Sequence, residues 1–289
     1  MTLSAPDLVE KTLASSDGTS IYAVAAGNPK HSALVFIHGF GLSSLVFEGL
    51  FREPALLDKF YLVSYDVRGN GRSGKPDNPE AHQSSLYAAD FRAVLKAFEV
   101  TKPLIVAWSM GGIVVADVCA HLPPGTISGV VYVNAAPYLG EALVKVGTPY
   151  ILEVLPLLLS TDNVATSCEA RIKFVEACFS KPDILPTQLK WSWIGATVMQ
   201  PPLVAALTAG RSQDASKLFE AAEGGLPALA ITSTADLIIQ GKNVEEMLKE
   251  HFKNLEVHRI ENGSHTPFID DKEEFVKVLT EFAKKTFQG

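Results

Sequence analysis

Apolar residues along the chain fall into two alternating patterns. Short β-branched runs end at small or polar residues: Ala33 to Ile37, Tyr61 to Asp66, a run from Leu104, "GVVYVNA" from Gly129, "PALAITSTAD" from Pro227 and "LEVHRIENGSH" from Leu255. Runs of that length with both neighbours apolar predict strands covered on both faces. Between them the spacing turns helical, as in Phe91, Val94, Leu95 and Phe98, and again in Ile113, Val114, Val118 and Cys119 before Pro123 stops the pattern. Ahead of this rhythm, Lys11 to Ser15 and Ile21 to Ala25 flank Ser16-Asp17-Gly18-Thr19, turn-forming types that predict a hairpin. The last helix carries Glu273 and Glu274 near its start and Lys284 and Lys285 near its end, which suits its macrodipole. Strands alternating with helices predict an α/β protein, a mostly parallel twisted sheet with helices on both faces.

The rhythm stops near Pro137. Residues 138–215 hold short apolar helical stretches, no clear strand, and prolines at 149, 156, 182, 186, 201 and 202 that should break the segment into short helices. This predicts a helical lid inserted into a core made of residues 1–137 and 216–289. Its two tryptophans, Trp191 and Trp193, and the run Leu155, Leu157, Leu158 and Leu159 suit either lid core or the wall of a closed apolar acyl pocket.

Composition narrows the partners. The chain has 289 residues, 47% hydrophobic, enough to bury a large core. A net charge of −7 without any basic run argues against a nucleic acid or an anionic membrane. The opening "MTLSAPDLVEKTL" lacks a basic start and an apolar core, so a cytoplasmic, reducing location is expected. The three cysteines, Cys119, Cys168 and Cys178, have no metal-site spacing and read as free thiols. "YILEVLPLLL" is too short to span a bilayer. His251, His258 and His265 are evenly spaced but fall on a helix, a strand and a loop, so no metal site is expected.

In such sheets the loops at the strands' carboxyl ends gather on one edge, where ligands bind. His38, Ser109, Asp236 and His265 each follow a strand. Ser109 sits on a strand-to-helix turn, where Gly111 and Gly112 relieve crowding and leave the hydroxyl exposed. A hydroxyl becomes a nucleophile when an imidazole takes its proton, and a carboxylate fixes the imidazole's tautomer. Asn134, which ends the run from Gly129, carries no charge, and Asp236 is the carboxylate among these four strand-end candidates.

The segments "IHGFG", "YDVRGNGRSGKP", "AWSMGG", "STAD" and "NGSHTPFID" resemble, in order, the signatures of the α/β-hydrolase family across nearly the whole chain. Within it the sequence is similar to lidded carboxylesterases and cofactor-free, haloperoxidase-like perhydrolases. The resemblance implies an α/β-hydrolase fold with Ser109 as nucleophile, His265 as base, Asp236 as acid, and an oxyanion hole from the N–H groups of Phe40 and Met110. It also implies that His38 orients the oxyanion loop at the edge of the substrate pocket, while Asp66 and Arg68 organise their own loop and Trp108 packs beneath the elbow. The departure from the pattern is Ala107, where the family often has glycine.

The expectation is a serine esterase acting without metal or cofactor on a small to medium apolar ester, a small-molecule partner. Perhydrolysis and carbon–carbon bond hydrolysis are alternatives on the same residues. A ligand receptor of the same fold with slow turnover is the alternative of another class.

Overall fold

The computed structural model describes residues 8–288. The first seven residues, on which the expected location partly rests, lie outside the described residues. The strands are β1 (Val9–Ala14), β2 (Ser20–Ala26), β3 (Ala33–Ile37), β4 (Tyr61–Tyr65), β5 (Leu104–Trp108), β6 (Gly129–Val133), β7 (Ala228–Ser233) and β8 (Leu255–Ile260). They form one eight-stranded sheet ordered β1-β2-β4-β3-β5-β6-β7-β8. β1 and β2 are the expected hairpin, and β2 also runs antiparallel to β4; every later pairing is parallel. All residues of β3 to β7 are buried, so both faces are covered. Their continuous Val, Ile and Leu content follows from that double cover.

Between β6 and β7 the regular elements are helical: Glu141–Val146, Pro149–Leu158, Val164–Ala177, Thr187–Val198, Pro202–Gly210 and Ser216–Glu223, with a 3-10 turn at Pro182–Ile184. Pro149, Pro182 and Pro202 open their elements, where the missing N–H would have had no helical partner. Pro156 departs from expectation, because it lies inside Pro149–Leu158 rather than ending it. Only two residues of that helix follow it, so one lost hydrogen bond near the end does not break the element.

The insertion is fastened to the sheet by polar contacts far apart in sequence. Arg211 bonds both carboxylate oxygens of Asp117, at 2.9 and 2.5 Å, with both side chains nearly inaccessible. Gln213 adds a 2.7 Å bond to the same carboxylate and a 2.8 Å bond to the carbonyl of Ile113, on the helix that follows Ser109. Midway along the segment, Thr266 donates to the carbonyl of Cys178 and Asp270 accepts from the N–H of Ser180, both at 2.9 Å. Among the described residues no helix is long and apolar enough to cross a membrane.

Candidate active site

Three strand ends bring Ser109, His265 and Asp236 together. The Ser109 hydroxyl lies 2.9 Å from His265 Nε2, and His265 Nδ1 lies 2.8 Å from Asp236 Oδ2. An ionised carboxylate only accepts, so Nδ1 carries the proton and Nε2 is left to accept from the serine. The other Asp236 oxygen accepts from the N–H groups of Ile238 and Ile239, at 2.7 and 3.0 Å, which fixes the carboxylate's rotation. The side chains of His265 and Asp236 are inaccessible, and Ser109 is 5% exposed.

Ser109 adopts φ +55°, a left-handed conformation that is strained for serine and persists because its surroundings fix it. The neighbouring glycines are required by contact. A Cβ on Gly111 would come within 2.3 Å of the Ile37 carbonyl oxygen, and one on Gly112 within 2.3 Å of that of Ala136. Asn134 ends β6 and bridges the neighbouring strand ends: it accepts from the N–H of Ser233 and donates to the Ser233 hydroxyl and the Ser264 carbonyl. It thus ties β7 to the loop that carries His265.

His38 is buried, and its Nε2 accepts from the N–H of Val67 at 2.9 Å, so its Nδ1 donates to the Gly39 carbonyl at 2.8 Å. Burial pushes its pKa below the ordinary value, consistent with that neutral tautomer. The ring therefore pins the loop Gly39–Gly41 to the loop after β4. No acceptor among the described residues takes the N–H of Phe40 or Met110. Asp66 reaches beyond its own loop, accepting from the N–H and hydroxyl of Ser44 and the N–H of Arg72. Arg68 also reaches further than expected, pairing with buried Asp90 and with Asp17 of the β1–β2 turn.

The two tryptophans of the helix Thr187–Val198 do not share a wall. Residues two apart on a helix point to nearly opposite sides. Trp193 is fully buried, with ring centroids 5.6 Å from Trp108 and 4.8 Å from Phe179, whereas Trp191 is 69% exposed. Trp193 therefore packs against Trp108 and Phe179, one of the two roles its sequence position left open, and Trp191 faces outward. His38 does line a cavity, and that cavity has a volume of only about 20 Å³.

Sequence reasoning also missed supports of the His265 loop. The Trp108 indole packs as expected, but its N–H also donates to the His265 carbonyl at 2.8 Å. Asp270 accepts from the Ser264 hydroxyl at 2.5 Å. Cys178 is buried beside this loop, and burial pushes its thiol well above the ordinary pKa, so it is no rival nucleophile. The Trp108 partner is a backbone atom 157 residues away, which no local pattern signals, and the Ser264–Asp270 bond spans six residues without a motif of its own.

The sheet order and the strained serine turn define a doubly wound α/β protein with a buried, hydrogen-bonded serine, histidine and aspartate at the strand edge. The sequence pattern of the alpha/beta hydrolase family matches residues 34–278, and the chain belongs to that family. It is 33% identical over 128 residues to a non-heme chloroperoxidase from Streptomyces lividans, a stretch that spans 44% of this chain and 45% of that relative. Among solved structures it is similar to an esterase from Rhodococcus sp. ECU1013, with a TM-score of 0.83, 26% identity, and 95% and 98% of the two chains covered. A bromoperoxidase from Bacillus anthracis shares the fold, with a TM-score of 0.79, 22% identity, and 96% and 100% covered.

Proposed function

We propose that this protein is a serine hydrolase that cleaves carboxylic esters through an acyl-enzyme on Ser109, with residues 138–215 as its lid. The observation that carries the reading is the buried chain from Ser109 through His265 to Asp236. The esterase likeness supports it.

In the first half-reaction the Ser109 oxygen bonds to the carbonyl carbon as its proton passes to His265 Nε2. The oxyanion takes hydrogen bonds from the N–H groups of Phe40 and Met110, donors worth several kcal/mol when aimed at the developing charge. Collapse breaks the carbon–oxygen bond, and His265 returns the proton to the departing alcohol. In the second half-reaction a water gives its proton to His265 and attacks the acyl carbon, and Ser109 leaves as the alcohol. Asp236 holds the imidazole's tautomer and balances its transient charge. With Ser109 and His265 so deeply buried, entry of an ester requires the lid to shift.

A second reading follows from the likeness to the non-heme chloroperoxidase: hydrogen peroxide replaces water in the second half-reaction and the product is a peracid. The test begins with Ser109→Ala, for which turnover of nitrophenyl esters should fall about 10⁵-fold or more with the melting curve unchanged. A serine-directed phosphonate should label the wild-type chain once, on the peptide containing Trp108 to Gly112. Residual turnover near wild type, or a label elsewhere, removes Ser109 from the mechanism. Adding peroxide and assaying peracid separates the two readings.

A further inference from the structure

The cavity beside the nucleophile is not uniformly apolar. The loop Gly39–Gly41 and Met110 form one side, and Asn70 and Gln200 also line it. Its volume of about 20 Å³ suits a group the size of one water or hydroxyl. A Cβ on Gly39 would lie 2.9 Å from the Ser109 Cβ, so this wall abuts the nucleophile itself.

Two buried polar atoms of opposite type belong to the lining residues. The Asn70 amide nitrogen donates to the carbonyls of Val67 and Arg68, both at 3.2 Å, which leaves Oδ1 as a fixed acceptor. That Oδ1 is buried with no partner among the described residues, and so is Nε2 of Gln200. Gln200 is 1% exposed and Asn70 3%. Buried polar groups are nearly always paired, so an acceptor and a donor left free at one cavity point to a ligand group that pairs both.

Gln200 is also held in place at some cost. Arg171, itself buried, donates to the carbonyls of Thr197 and Gln200, and no carboxylate among the described residues pairs with it. Its guanidinium caps the end of the helix Thr187–Val198, where a cation complements the helix dipole. The Gln200 amide is thereby placed between two loops. Its Oε1 lies 3.6 Å from a Cβ position on Gly41, and its Nε2 lies 3.8 Å from one on Gly69.

We infer that Asn70 and Gln200 form a polar subsite for an uncharged hydroxyl on the acyl part of the substrate. The hydroxyl accepts from Gln200 Nε2 and donates to Asn70 Oδ1. Neither side chain is charged, which selects against carboxylate and ammonium groups, and the volume selects against larger ones. The acyl side follows from the reaction: the departing alcohol must face His265 Nε2, and His265 is not part of this cavity's lining. The subsite rests on the serine-hydrolase reading and makes the preferred ester a short hydroxy-substituted one, because an analogue lacking the hydroxyl leaves both buried atoms unpaired.

The test uses ethyl butyrate, ethyl 2-hydroxybutyrate and ethyl 3-hydroxybutyrate. Binding is measured by calorimetry on Ser109→Ala and on the same variant carrying Gln200→Met, a change that keeps volume and removes the donor. One hydroxylated ester should bind the Ser109→Ala protein about ten-fold more tightly than ethyl butyrate, and the ratio should fall to within about two-fold once Gln200→Met is added. The kcat/KM ratios of wild type and Gln200→Met should follow the same order. Equal binding of all three esters by Ser109→Ala overturns the subsite even if Gln200→Met does not fold, as does a preference that survives Gln200→Met. If wild type turns over neither these esters nor nitrophenyl esters while the binding preference holds, the hydroxyl site stands, and the serine-hydrolase reading falls together with the assignment of that site to the acyl side.

Discussion

The edge of the sheet and the helical insertion present opposite surfaces. Around the strand ends, His38, Asp66, Asn134, Ser264 and His265 are each buried with named partners. Among the described residues, every exposed large hydrophobic except Leu8, Val9 and Leu237 lies in the insertion, with Val164 and Ile184 at 75% exposed. The sheet is over-determined by backbone pairing and double cover, whereas the insertion is a set of short helices whose inner faces, with Phe174, Phe179 and Trp193, join the core and whose outer faces leave apolar residues exposed. Backbone pairing and double cover hold atoms to within fractions of an ångström, and short helices with exposed apolar residues sit at the less stable end of a fold.

The comparison breaks most sharply at Asp236. In Asp236→Asn, the oxygen can keep its bonds from Ile238 and Ile239 while the new amide nitrogen faces His265 Nδ1. Nδ1 must then accept, the proton moves to Nε2, and the imidazole can no longer take the serine's proton. We expect kcat to fall about 10⁴-fold with little change in stability. A silent Asp236→Asn would mean that another carboxylate orients His265.

The insertion's anchor is the next point to break. Arg211→Leu leaves the Asp117 carboxylate buried with only the neutral donors Gln213 and Ser84. Breaking one side of a buried pair costs about 3–5 kcal/mol. The denaturant midpoint should fall accordingly, and the double variant with Asp117→Leu should recover part of the loss, since it removes the stranded charge. If the double variant is less stable than Arg211→Leu, the pair is not what fastens the insertion.

The same contrast explains what was legible in the sequence. The strands, their mostly parallel arrangement and the positions of Ser109, Asp236 and His265 at strand ends follow from local patterns: a β-branched run, then a polar residue at its carboxyl end. Asn134 was legible only as a missing charge, because its bonds go to Ser233 and to a backbone carbonyl 130 residues away. Arg211 and Asp117 are 94 residues apart, and no periodicity links them. The insertion's prolines break it into short helices as expected except at Pro156, which lies two residues from the end of its helix, where one lost hydrogen bond does not break the element.

The tryptophan pair, whose members share a helix and nothing else, sets the smallest expected effect beside a large one. Trp193→Ala opens a cavity among Trp108, Phe179 and the helix's own neighbours, and should cost about 3–5 kcal/mol. It should also lower activity, because Trp108 bonds the His265 carbonyl and would lose its packing partner. Trp191→Ala removes a ring that already faces solvent, so stability should stay within about 0.5 kcal/mol of wild type. Its profile across acetyl, butyryl, octanoyl and palmitoyl nitrophenyl esters should also be unchanged. Equal destabilisation in the two variants would mean that the insertion's packing differs from the structure. A changed acyl-length profile in Trp191→Ala, with stability unchanged, would instead place that ring against the substrate when the lid has moved, and the boundary between the rigid edge and the adaptable insertion would then pass through the helix Thr187–Val198 itself.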